Sequence, residues 1–114
     1  MEILVHRQDD HVTHLALSGR LDILGLQQIE LPFTAHTSSR RKHAVVDVSQ
    51  VTYMSSLGIR LILSSAKALS AHGARLVLVN PQPQVLQVLQ LGRLDTIIAI
   101  ESDVPAAFAS VGVQ

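Results

Sequence analysis

The sequence predicts an α/β domain: a small, mixed but mostly parallel β-sheet entered through an N-terminal hairpin and covered by about four helices. Three observations carry that reading. Two short apolar-rich runs, Glu2–Arg7 and Val12–Leu17, are separated only by Gln8-Asp9-Asp10, which reads as a hairpin turn. Two further runs, Ala44-Val45-Val46-Asp47-Val48 and Arg75-Leu76-Val77-Leu78-Val79, are of the kind buried on both faces of a sheet. Segments with apolar residues at three- and four-residue spacing come after the hairpin and after each later run, so helix and strand alternate. Such alternation implies right-handed crossovers between parallel neighbours.

Taken in order, the second strand places Thr13, Leu15 and Leu17 on one side and Val12, His14 and Ala16 on the other, and Ser18-Gly19 is expected to end it. After Asp22, the spacing of Ile23, Leu26, Ile29 and Phe33 predicts an amphipathic helix, which Pro32 should kink or shorten. Ser49 to Ser55 reads as a connection after the next strand. A long helix then runs from about Leu57 to His72 and stops at Gly73. Pro81 and Pro83 open a helix carrying Val85, Val88 and Leu89, which Gly92 ends. Thr96 to Ile100 is the last expected strand and Val104 to Val111 the last helix, with Asp103 and Pro105 placed for its N-cap and first turn. Gly-Arg-Leu-Asp occurs at 19–22 and again at 92–95, but the residues after the two copies differ, so it marks no repeat. No linker divides the chain, and residues 1–114 read as one domain.

Composition removes several function classes. Of 114 residues, 47% are apolar and 16% charged, which suits a packed core rather than disorder. Nine basic residues balance nine acidic ones, so the general attraction to nucleic acid or to anionic membranes is missing. The run Arg40-Arg41-Lys42 reads as a solvated loop. The absence of cysteine rules out disulfides and thiolate metal sites. No signal-peptide pattern and no apolar run of bilayer length is visible, so a cytoplasmic location without membrane insertion is expected.

Catalytic patterns are missing too. No strand is followed by a Gly-rich phosphate loop, and no serine stands in a Gly-x-Ser-x-Gly elbow. The histidines His6, His11, His14, His36, His43 and His72 are scattered and read as solvated surface groups. Asp22, Asp47 and Asp95 are far apart in sequence, so none is paired as acid and base. The expectation is a binding protein that is not an enzyme and needs no cofactor or metal.

The informative segment runs from Val46 to Leu63. It places a buried strand, a short loop and the pair Ser55-Ser56 at the mouth of the long helix. A serine there caps orphan backbone N–H groups, and the same place favours an anion through the helix dipole. The segment Asp47-Val48-Ser49, then Tyr53-Met54-Ser55-Ser56-Leu57-Gly58, resembles the signature of the STAS domain family, which includes bacterial anti-sigma factor antagonists. Three more motifs share the resemblance: Ser18-Gly19-Arg20-Leu21-Asp22, Asn80-Pro81 through Leu94-Asp95, and Glu101 through Phe108. Two positions depart from the family pattern, Ser55 in place of an aspartate and Leu57 in place of a small residue. The Gly92-Arg93-Leu94-Asp95 stretch is also one residue longer than usual.

The resemblance implies a binding switch. An anti-sigma factor antagonist binds a kinase-like anti-sigma factor, frees a sigma factor for transcription, and is switched off when one serine is phosphorylated. That acceptor falls on Ser56, with Asp22, Ser55, Leu57, Gly58 and Arg60 as its neighbours. Arg60, one turn further along the helix, either pairs with the phosphate or stays solvated. A monomer or weak dimer is expected. Two other readings stay open: a STAS accessory subunit of a larger assembly, such as a lipid-transport complex or a stress-signalling scaffold, acting without phosphorylation; and a small nucleotide-binding or hydrolysing protein.

Overall fold

The computed structural model describes residues 1–113. A five-stranded sheet forms in the order β1 (Glu2–Gln8), β2 (Val12–Leu21), β3 (His43–Met54), β4 (Leu76–Val79) and β5 (Ala99–Glu101). The β1–β2 hairpin is antiparallel and every other pairing is parallel. Helices α1 (Ile23–His36), α2 (Ser56–Ser70), α3 (Pro83–Leu91) and α4 (Val104–Ser110) connect or follow the strands. The mixed sheet, the hairpin and the four helices match the class that the sequence predicts.

Alternation along the strands builds two cores. Ala44, Val46 and Val48 of β3 and Leu76 and Leu78 of β4 face one way, against Ile29 and Phe33 of α1, Leu61, Ile62 and Leu69 of α2, and Val85 and Leu89 of α3. Val12, Val45, Val77 and Val79 face the other way, under Ala107 and Phe108 of α4. Period-2 alternation between two covered faces explains why these strands read as continuous apolar runs.

Several boundaries differ from expectation for identifiable reasons. β2 does not end at Ser18-Gly19, and Ser49 to Ser55 is not a connection. Ser18 pairs with Gln50, Gly19 with Val51, Arg20 with Tyr53 and Leu21 with Met54, with register shifts between Ala16 and Ser18 and between Gly19 and Arg20. Gly19 takes φ +108°, a conformation that side chains disfavour, and thereby lets β2 continue past the irregularity. Since β4 pairs with β3 only over Ala44–Asp47, the last turns of β2 and β3 form a two-stranded extension.

Pro32 does not shorten α1: it faces solvent, where the forfeited hydrogen bond is cheap, while Ile29 and Phe33 on the other face are buried. α2 ends at Ser70, and Gly73 (φ +74°) completes the turn after it. Pro81 lies ahead of α3, which begins at Pro83. Thr96 belongs to a 3₁₀ turn (Leu94–Thr96), so the last strand starts later, at Ala99. Among the described residues, no helix is long and apolar enough to cross a membrane.

Candidate functional site

The extension of β2 and β3 delivers two helix N-termini to one place. Leu21 and Met54 are register partners, and the Ser55 N–H donates to the Leu21 carbonyl at 2.9 Å. Asp22 and Ser55 are therefore equivalent residues on adjacent strands, each the first beyond its strand and each the N-cap of the next helix.

Both caps are formed. The Gly25 N–H donates to Asp22 Oδ1 at 2.8 Å, and the Gly58 N–H donates to Ser55 Oγ at 3.2 Å. In each case the donor is a glycine three residues after the cap, and in each case nothing larger fits. A Cβ on Gly25 would lie 2.0 Å from the Arg20 carbonyl oxygen; one on Gly58 would lie 2.6 Å from Leu21 Cγ and 3.1 Å from its carbonyl oxygen. These contacts seat the first turns of α1 and α2 directly on the end of β2.

Ser56 is the first helical residue of α2. Its side chain is exposed, and among the described residues its hydroxyl has no hydrogen-bond partner. Ser55 carries the capping duty alone, which leaves Ser56 free for chemistry from outside. Hydrogen bonding from Gly25 holds the Asp22 carboxyl below the usual carboxylate range despite opposing desolvation, with Arg20 contributing as well. Arg20 Nε approaches Asp22 Oδ2 at 3.4 Å, and its guanidinium lies 4.4 Å over the Tyr53 ring.

Of the residues singled out in the sequence, Asp22, Ser55, Ser56 and Gly58 come together through this backbone geometry. Leu57, half-buried, turns to a shallow groove of about 310 Å³ shared with Leu26, Glu30, Arg60, Leu61 and Ser64 between α1 and α2. Arg60 is exposed there and, among the described residues, forms no ion pair. Arg20 and Tyr53 were not singled out as site residues, nor were Ile23 and Leu24, which are 62% and 64% exposed on the first turn of α1. The spacing places Ile23 on the apolar stripe of α1, but that stripe packs only from Leu26 onward, and Ile23 and Leu24 stay in solvent on the turn that the Asp22 cap opens. The site thus presents a free hydroxyl, the Asp22 carboxylate paired with Arg20, the unpaired Arg60 and an apolar rim. Among the described residues no three His, Cys, Asp or Glu side chains are grouped to hold a metal ion.

Comparison with known proteins shows what the chain is similar to. A family model described as "Mlab, STAS domain" matches residues 4–100. The protein BtrV of Bordetella bronchiseptica, named for anti-sigma factor antagonism, is 28% identical over 94 residues, which are 82% of this chain and 81% of that one. Two solved structures share the fold at lower identity. An anti-sigma factor antagonist homologue from Thermotoga maritima superposes with a TM-score of 0.86 at 24% identity, over 96% of this chain and 93% of that one. The anti-sigma factor antagonist SpoIIAA of Bacillus, in its unphosphorylated form, superposes with a TM-score of 0.78 at 21% identity over 99% of both chains.

Proposed function

The chain belongs to the STAS domain family, and from that premise we propose that it is an anti-sigma factor antagonist. It binds a kinase-like anti-sigma factor through the surface around Ser56, and it is released when that kinase phosphorylates Ser56. The protein is then a binding partner without turnover of its own, acting on transcription only through the sigma factor it frees.

The observation that carries this reading is the division of labour between two adjacent serines. Ser55 caps α2, while Ser56 is exposed at the first turn with an uncommitted hydroxyl. A phosphate there adds about −1.5 to −2 charges at pH 7. The helix N-terminus tolerates such charge, so folding survives modification. The apolar rim of Ile23, Leu24 and Tyr53 is what suffers: a partner packed on it would have to desolvate the new dianion. A penalty of a few kcal/mol is enough, since about 1.4 kcal/mol is tenfold in affinity. SpoIIAA, solved in both unphosphorylated and phosphorylated forms, supports phosphorylation as a control on this fold.

The test pairs two variants with one assay. Ser56→Asp weakens binding to the cognate anti-sigma factor, whereas Ser56→Ala leaves it largely intact, and Ser55→Ala is the control for a general capping effect. Incubation with the kinase and ATP, then mass spectrometry, locates the phosphate. Phosphate on Ser55 with none on Ser56 would move the acceptor by one residue. If no site is modified and Ser56→Asp binds as tightly as wild type, the second reading takes over: an accessory subunit of a larger assembly, working without phosphorylation. The Mlab name of the matching family model, together with the serine in place of the family's aspartate at Ser55, is what favours that alternative.

A further inference from the structure

The fold gathers basic side chains at the opposite end of the sheet, where the N-termini of β2 and β3 meet the turn after α2. The run Arg40-Arg41-Lys42 divides there. Arg40 turns inward, donating to Thr13 Oγ1 and, at 2.6 Å, to the Asp9 carbonyl, so it ties the hairpin to the sheet. Arg41, in a left-handed conformation at φ 58°, and Lys42 stay exposed and line a recess of about 260 Å³. Three histidines that are remote in sequence line the same recess: His11 from the hairpin, His43 at the start of β3, and His72 from the turn after α2. Asp10 is the one carboxylate among its described lining residues.

We infer that this recess binds a small tetrahedral dianion of the phosphate or sulfate type. Arg41 and Lys42 supply two fixed positive charges against the single negative charge of Asp10. His43 keeps one ring donor available: its Nδ1 accepts the Arg75 N–H at 3.0 Å, which makes Nε2 the donor of the neutral ring. Burial and the neighbouring Arg75 keep that ring neutral by holding His43 below the usual imidazole range. His11 and His72 are exposed, and each offers a ring N–H donor. The volume lies under the roughly 300 Å³ at which drug-sized pockets begin, so one oxyanion with its waters fits better than an extended ligand. Donors from three chain segments, His11, the run Arg41 to His43, and His72, suit an anion with oxygens on every side.

Arg41, Lys42 and Asp10 are the fixed charged groups that line the recess among the described residues. Sulfate is the probe, because its own charge is constant near neutral pH. Titration of isotopically labelled protein with sodium sulfate, against sodium chloride at matched ionic strength, should give saturable NMR shifts at His43 and His72. The Ser56 amide, beyond the far end of β3, should not move. The doubly substituted Arg41→Gln, Lys42→Gln protein, altered only at exposed positions and checked for an unchanged circular dichroism spectrum, should lose sulfate binding. Inorganic phosphate and a simple phosphate monoester form the second arm. Equal binding of both means that the recess reads a phosphate group carried on a larger molecule, and binding of the free ion alone means that the ion itself is the ligand. Shifts that chloride reproduces, or undiminished binding in the double variant, would overturn the inference.

Discussion

Replacing Gly58 by alanine tests whether α2 is seated on β2 as closely as the site requires. On an open helix the change should stabilise by about 1 kcal/mol, because glycine costs that much in a helix interior. Here the new Cβ would stand 2.6 Å from Leu21 Cγ, 2.7 Å from Leu21 Cδ2 and 3.1 Å from the Leu21 carbonyl oxygen. Carbon atoms pack at about 3.5–4.0 Å, so relief needs a displacement of about 1 Å. Leu21 cannot supply it by rotating, since its side chain is fully buried. Its carbonyl cannot retreat without loosening the hydrogen bond from Ser55.

Overpacking of this kind costs about 1–3 kcal/mol, and with both side chain and backbone fixed the upper end applies. Against the gain in propensity, the net expectation is a loss of about 2 kcal/mol. With a urea m-value of about 2 kcal/mol/M, the midpoint falls by about 1 M at unchanged slope. Gly25→Ala, whose Cβ would meet the Arg20 carbonyl oxygen at 2.0 Å, should cost more, because the obstacle is backbone. Both variants should also weaken partner binding, since they shift the turns that carry Ser56, Ile23 and Leu24. A Gly58→Ala protein as stable as wild type, or more so, would refute the close seating and the positioning argument built on it.

The same geometry sets other measurable outcomes. Leu69→Ala, at a fully buried position of α2, should cost about 2–5 kcal/mol in a denaturant melt, and a loss under about 1 kcal/mol would mean that the helix faces are misassigned. Ser55→Ala should cost about 1 kcal/mol, the worth of one N-cap, while Ser56→Ala should cost markedly less in the same melt. Stability should fall on acidification. Burial first, then His6, holds His14 below the usual imidazole range, with Asp47 opposing, and His14 Nε2 is buried without a partner. The unfolded chain therefore takes up the proton first, so the contribution is full above about pH 6.5 and is lost as pH falls through the lower folded value. Melts at about pH 7.5 and 5.5 should show the drop, and His14→Phe, which keeps the ring packed against Phe108, should reduce it. An undiminished drop in that variant would assign the effect to other groups, His43 first among them.

What the sequence made legible, and what it hid, divides along the range of the interactions. The apolar runs of β3 and β4, the Asp103 cap and the helix-opening Pro105 are local signals, and the structure repeats them. The polar stretch Ser49–Thr52 looked like a loop because its strand character depends on partners some thirty residues earlier, at Ser18 to Leu21. The histidines looked scattered for the same reason: His11, His43 and His72 meet only after the crossovers have closed the sheet. One signal was local and still went unread. Asp22-Ile23-Leu24-Gly25 and Ser55-Ser56-Leu57-Gly58 both place a cap acceptor three residues ahead of a glycine, and in both the glycine N–H is the donor. Read as a pair, they state that two helices begin against the same strand end, at a distance that excludes a Cβ. That geometry bears on the serine question. A cap must sit at the residue whose side chain reaches back over the first turn, so Ser55 is committed by its position. The residue after a cap has no such duty and is turned outward at the end of the helix that attracts negative charge. An exposed Ser56 is therefore a consequence of how α2 is started, and the site needs no other device to present it.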